Sequence, residues 1–190
     1  MGRPAGDIIG DDENWYWFHR VGRLTLLWGR KHQSFPKAAM VGPDWPCMLV
    51  TYGLMIGPTL AYIIIFSSDG QGTAALVSAC TLILLLTTYS FAACTDPGIV
   101  YSHPGDAEEG ESREEDQVMC GKCEVVRPED AMHCSSCGVC IKKHDHHCPW
   151  TGTCIGSQNL IAFYAFLVCL TVHLAWLAIS FMSSPIRSGP

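Results

Sequence analysis

Between residues 120 and 154 the chain sets thiols and imidazoles at spacings that suit both metal binding and thiol chemistry. Seven of its 11 Cys fall in this window, with four of its eight His. Cys120 and Cys123 form one CxxC, His133 and Cys134 are adjacent, Cys137 and Cys140 follow at steps of three, and Cys154 closes the set. Tetrahedral zinc sites draw ligands from such pairs, because a two-residue turn brings two sulfurs to one metal at about 2.3 Å each. Overlapping pairs packed into one short window make the signal specific. Two closed sites need eight ligands, and six cysteines with two histidines supply them as two sites of three sulfurs and one nitrogen. One cysteine is then left over. Spacing alone does not say which, but Cys148 stands apart in the run Asp145, His146, His147, Cys148, Pro149, Trp150.

A thiol attacks as thiolate, and a neighbouring imidazole can take its proton and stabilise the charge that results. A carboxylate such as Asp145 can fix the tautomer and orientation of that imidazole. The competing reading makes Cys148 and both histidines further zinc ligands of a ring-type or ribbon-type interaction module.

The elements that must carry this block come from composition. Charged residues are 16% of the 190, and mean hydropathy is +0.19, against roughly 25% charge in an ordinary soluble domain. Three runs without Asp, Glu, Lys or Arg account for the difference: 45–66, 73–94 and 160–182. Each is longer than the ~20 residues that cross ~30 Å of hydrocarbon as a helix, and none shows the polar stripe of a buried soluble helix. The first run follows some forty residues containing Arg20, Arg23, Arg30, Lys31 and Lys37, which does not fit a cleaved signal peptide. Six Lys or Arg lie in 1–44, none in 67–72, five in 95–159 and one after Met182. By the positive-inside rule the N-terminal segment and 95–159 are cytosolic, 67–72 is a luminal turn and 183–190 a luminal tail. The Cys-rich block thus faces a reducing compartment, where clustered thiols bind metal or do chemistry more often than they form disulfides. The formal net charge of −6 argues against a nucleic-acid partner.

Several features outside the block have plain readings. The acidic run 107–117 reads as a solvated linker within 95–119. Trp15, Tyr16, Trp17 and Phe18 fit an interfacial anchor or a packing cluster equally well. His173 reads as a helix-packing hydrogen bond rather than a proton relay. Cys47, Cys80, Cys94 and Cys169 read as small apolar residues of the spans, with Cys94 an acylation candidate at an interface. Lys142, Lys143 and His144 form a basic surface suited to lipid headgroups.

The block CGKC, nine residues, HCSSCGVC, four residues, DHHCPW, then Cys154, Asn159 and Phe163, with Asp96, Pro97 and Gly98 behind the second run, resembles the cysteine-rich domain of the DHHC-type protein S-acyltransferases. The resemblance implies an α-helical integral membrane protein with three transmembrane helices seen, and a small cytosolic domain of short β-hairpins over 120–159 holding two structural zinc ions. It implies one zinc on Cys120, Cys123, His133 and Cys140 and the other on Cys134, Cys137, His147 and Cys154. It also implies Cys148 as nucleophile, His146 as base and Asp145 as the group that orients it. The implied reaction transfers a long-chain acyl group from acyl-CoA, whose phosphates Lys142 and Lys143 would face, through acyl-Cys148, to cysteine thiols of membrane-associated proteins. It implies endomembranes (Golgi or ER) or the plasma membrane, with the site on the cytosolic face. The family pattern continues with a fourth span and a TTxE motif where this sequence stops at Pro190, so a C-terminally truncated form is expected. The two resulting expectations are a palmitoyltransferase and a non-catalytic, membrane-anchored zinc module that binds partners or substrates without turnover.

Overall fold

The computed structural model describes residues 14–66, 72–101 and 117–183; most of the acidic run and of the two segments expected to be luminal lies outside them. The three uncharged runs are helices: α1 (Trp45–Phe66), α2 (Gly72–Cys94) and α3 (Leu160–Met182). All three are long and apolar enough to cross a membrane. Their outer surfaces keep Leu54, Ile64, Leu76, Ile83, Ile161 and Val172 exposed, as lipid-facing surfaces do.

Lipid tails are as apolar as leucine, so the hydrophobic effect does not hold such helices together; close packing and hydrogen bonds do. At one end of the bundle Tyr89 of α2 is fully buried, its ring 4.7 Å from that of Tyr52 on α1 and 5.0 Å from that of Phe166 on α3. Each such edge or tilted pair adds about 0.5–1.5 kcal/mol beyond the area buried. Farther along, the buried His173 of α3 lies 2.9 Å from Thr59 Oγ1 of α1 through Nε2 and 2.9 Å from Thr81 Oγ1 of α2 through Nδ1. Trp176 Nε1–H donates to Ser78 Oγ at 2.9 Å. His173 is therefore a three-helix packing bond, as its isolation in an apolar run leads one to expect.

The segment before α1 is itself folded. Strands β1 (Tyr16–Val21), β2 (Leu24–Gly29) and β3 (Ala39–Val41) form an antiparallel sheet in that order. Val21, Leu24, Leu26 and Met40 from this sheet join Ile99, Val125, Val139 and Ile141 in one buried core. The β1–β2 turn touches the Cys-rich block directly: Arg23 N–H donates to the Cys137 carbonyl at 2.8 Å. A Cβ on Gly22 (φ +61°) would meet Val139 Cγ1 at 2.6 Å, so only glycine fits that turn. Tyr16 packs on this core, whereas Trp15, Trp17 and Phe18 are exposed.

Three antiparallel hairpins make up the Cys-rich block: β4 (Gln117–Cys120) with β5 (Val125–Pro128), β6 (Ala131–Cys134) with β7 (Val139–Lys142), and β8 (His146–Cys148) with β9 (Thr153–Ile155). Residues directly after α2 fold onto them. Asp96 is buried and accepts Gly98 N–H and Ile99 N–H on Oδ1, both at 2.8 Å, and the Tyr101 hydroxyl on Oδ2 at 2.9 Å. Burial pushes this carboxyl up from the ordinary range and the three donors counter it. The turn so formed lays Ile99 against Ile141, with Val100 N–H on the Cys140 carbonyl at 2.9 Å and Lys142 N–H on the Gly98 carbonyl at 2.8 Å. The second helix is thereby bonded to β7.

Candidate metal centres and thiol site

The eight metal-ligand candidates gather into two groups, Cys120, Cys123, His133, Cys140 and Cys134, Cys137, His147, Cys154, each with its ligand atoms within 4.8 Å of one another. Strand geometry explains the sorting. Successive side chains on a strand point to opposite faces, so the neighbours His133 and Cys134 on β6 part into different groups. His133 stands opposite Cys140 across β6–β7, and His147 opposite Cys154 across β8–β9; each cross-strand pair belongs to one group.

The remaining ligands come from two knuckles of one design. After Cys120-x-x-Cys123, Glu124 takes φ +57° and its N–H donates to the Cys120 carbonyl at 2.8 Å. After Cys134-x-x-Cys137, Gly138 takes φ +71° and its N–H donates to the Cys134 carbonyl at 2.8 Å. The second knuckle also turns Cys137 N–H toward Cys134 Sγ at 3.4 Å, the kind of backbone donor that steadies a thiolate.

Either group could hold a metal ion. His133 Nδ1 is 3.0 Å from Cys123 Sγ, and His147 Nδ1 faces Cys137 Sγ at 3.4 Å and Cys154 Sγ at 3.5 Å. Crowded thiols divide protons unevenly. A hydrogen bond from Cys140 holds Cys123 down at about 6, while Cys140 is driven up. In the other group Cys134 is pulled well below the usual thiol range by its bonds from Cys137 and Cys154, while Cys137 rises to about 12 and Cys154 higher still. In each cluster one sulfur is thus held toward thiolate beside another held toward thiol, and a cation bound between them would replace the shared proton. Three sulfurs and a nitrogen form a donor set suited to tetrahedral zinc.

The strand that carries His147 to the metal group carries two other side chains away from it. His146 and Cys148 are two apart on β8 and share the face opposite His147. His146 Nδ1 is 2.8 Å from Asp145 Oδ2, with side chains 42% and 51% exposed. The ring also sits 5.4 Å, edge-on, from Phe163 in the first turn of α3. Cys148 is 7% exposed, at the start of a turn seated on the helix bundle. In that turn the Trp150 carbonyl accepts the Tyr89 hydroxyl at 2.7 Å and lies 3.0 Å from Thr51 Oγ1. Lys142 and Lys143 are exposed at the end of β7 beside the half-buried His144.

At the base of the site Asn159, fully buried, accepts Gly156 N–H on Oδ1 and donates from Nδ2 to the carbonyls of Ala92 and Cys154, all at 2.9 Å. Sequence reasoning noted Asn159 but passed over Thr51, Tyr89 and Asp44. Asp44 immediately precedes α1, and its Oδ2 lies 2.8 Å from His147 Nε2. An acidic residue before an apolar run signals a helix cap; nothing local signals a partner 103 residues away.

Residues 113–188 match the family model described as DHHC palmitoyltransferase. With two Cys/His clusters that could hold metal, mounted on helices that could span a membrane, the match supports the chain's membership of the DHHC-type family. No curated protein matches the chain.

Proposed function

We propose that this chain is a protein S-acyltransferase that carries a long-chain acyl group from acyl-CoA to cysteine thiols of membrane-associated proteins. Cys148 is the nucleophile, His146 its base and Asp145 the group that orients His146. The observation that carries the reading is the alternation along β8: His147 turns to the sulfur cluster, and the flanking His146 and Cys148 share the other face, with Asp145 on His146 at 2.8 Å. Asp145 at Nδ1 leaves Nε2 to take the thiol proton.

The Cys148 thiolate attacks the thioester carbonyl, and the tetrahedral adduct collapses with loss of CoA thiolate, which takes up a proton. A substrate cysteine thiolate then attacks acyl-Cys148 and regenerates the Cys148 thiolate. One thioester replaces another at each step, so no external energy source is needed. Tyr89 and Thr51 hold the turn after Cys148 against the bundle, so an acyl chain on Cys148 can stay in apolar surroundings, each CH₂ kept from water contributing roughly 0.8 kcal/mol. Lys142 and Lys143 face the CoA phosphates.

Cys120, Cys123, His133 and Cys140 hold one zinc ion in this reading, and Cys134, Cys137, His147 and Cys154 the other. When bound, zinc cross-links the hairpins and takes no part in the chemistry, because four protein ligands leave no open position. The placement of Lys and Arg supports a site on the cytosolic face, and endomembranes or the plasma membrane follow from the family resemblance alone.

The test is labelling of the purified chain in detergent with a palmitoyl-CoA probe, followed by a cysteine-containing acceptor peptide. Hydroxylamine-sensitive label is expected on the native chain and on Cys169→Ser, to be absent from Cys148→Ser, and to pass to the peptide. Unchanged labelling of Cys148→Ser overturns the assignment.

A further inference from the structure

His147 is held from both sides. Nδ1 faces Cys137, Cys154 and, at 3.8 Å, Cys134, while Nε2 lies 2.8 Å from the Asp44 carboxylate. A neutral imidazole carries one N–H, and a carboxylate at Nε2 keeps the proton there and leaves the Nδ1 lone pair to the sulfur cluster. Asp44 is itself fixed. Its carbonyl accepts Cys47 N–H at 3.0 Å and Met48 N–H at 3.3 Å in the first turn of α1, and its N–H reaches the Gly152 carbonyl at 3.4 Å in the turn between β8 and β9. Beside it, a Cβ on Gly42 would overlap the Gly152 carbonyl oxygen, so the approach of this segment to the β8–β9 turn is close.

We infer that Asp44 is a positioning residue for one of the two metal centres: it sets the tautomer and aim of His147 and fastens the start of the first membrane helix to the site of Cys134, Cys137, His147 and Cys154. This rests on the zinc reading above and adds a fifth residue to that site, from a part of the chain outside the Cys-rich block. A carboxylate behind a ligating imidazole makes the ring a better donor and reduces its rotation, and its loss costs roughly 10–100-fold in metal affinity. Only one metal is expected to feel the change, because Asp44 touches His147 and the other centre uses His133.

The experiment is chelator competition on the purified full chain in detergent, following release of each metal equivalent with a colorimetric chelator, and the absorption of the cobalt-substituted protein. The native chain is expected to hold two equivalents. In Asp44→Ala one equivalent should bind roughly 10–100-fold more weakly and one cobalt site should change its spectrum, the other remaining native. Asp44→Asn keeps an oxygen acceptor for Nε2–H without the charge and should fall between. Thr51→Val removes a different tie between α1 and the same turn without touching His147, and should leave both equivalents native.

Two native-like equivalents in Asp44→Ala, equal weakening of both, or the same single-site loss in Thr51→Val would each overturn the assignment. A native chain without metal would instead overturn the zinc reading on which it rests.

Discussion

Asn159→Ala is the substitution whose cost the structure allows to be worked out most directly. The side chain is fully buried and makes three bonds of 2.9 Å, to Gly156 N–H and to the carbonyls of Ala92 and Cys154. The Ala92 carbonyl lies in the last turn of α2, where helix carbonyls have no partner within the helix. Cys154 is a metal-ligand candidate on β9, and Asn159 itself stands just before α3. One amide therefore satisfies groups on two elements while fixing the entry of a third. Each bond lost costs about 1 kcal/mol net, and an orphaned buried N–H adds about 1–3 kcal/mol. The total is about 4–6 kcal/mol. At roughly 2–4 °C per kcal/mol for a chain of this size, the metal-loaded protein in a fixed detergent should unfold roughly 10–20 °C lower. Asn159→Asp keeps an acceptor for Gly156 N–H but turns an oxygen toward two carbonyls, so it should be no better than alanine. A shift under about 2 °C for alanine, or native stability for Asn159→Asp, would refute the claim that donation to the two carbonyls holds this junction.

Four further outcomes are expected. Stripping both metals should leave the three helices intact by far-UV circular dichroism but open residues 117–159 to protease, since structural zinc in small domains contributes about 10–16 kcal/mol; a stripped chain with native protection would count against metal as the brace. His146→Ala should slow acyl loading of Cys148 by roughly 10²–10⁴-fold, and Asp145→Asn by less, measured as single-turnover label; equal rates in all three proteins would remove His146 from the mechanism. Tyr89→Phe should cost about 1–2 kcal/mol and raise the reactivity of Cys148 toward a water-soluble alkylating reagent, and unchanged reactivity would dissociate Tyr89 from the turn. Gly98→Ala forces a side chain at φ +104° against Ser157 Oγ; adding Ser157→Gly should recover the overlap but leave about 1–3 kcal/mol of backbone strain, so full recovery would show that the backbone there carries none.

The three helices were legible because their signal is local: an uncharged run of sufficient length needs no partner to be recognised. The ligand types were legible for the same reason, being clustered CxxC pairs. Their division between two centres came only through the family resemblance and not from spacing, because it depends on which face of each strand meets which partner. His133 and Cys134 are adjacent in sequence and separate only once β6 pairs with β7 in the register that sets His133 against Cys140. The N-terminal sheet was missed because its strands lack clean alternation: Phe18 takes φ +51° in the middle of β1, and between β2 and β3 the pairing passes from Leu26–Met40 to Trp28–Ala39, a bulge that breaks the period-2 pattern. Asp44 and Tyr89 were missed because their partners are far away in the chain. An acidic cap and a tyrosine in an apolar helix each have an ordinary local explanation, and only the fold supplies the other.

The polar residues found this way share a position that bears on the chemistry. Each helix reaches the hairpins through polar groups at or near one end: α1 through Asp44 to His147 and Thr51 to Trp150, α2 through Tyr89 to Trp150 and the Asp96 turn to β7, and α3 through Asn159 to Cys154. The hairpins are short, and the core they share with the N-terminal sheet is small, so on their own they would tilt freely over the bundle. Ties to all three helices remove that freedom. Cys148 lies between two of the tied points, with His147 one residue before it and Trp150 two residues after it. Its place relative to the helix ends is therefore set by bonds on both sides. In the proposed transfer, a thiol that meets a thioester whose acyl chain lies in lipid would need a fixed height at the bilayer surface more than a deep cleft, because misplacement by about an ångström can cost on the order of 10²-fold in rate. In the zinc reading the physical role of the two metal centres then follows: metal there would stiffen the strands between the ties, so that bonds made at the helix ends fix the position of a side chain on β8.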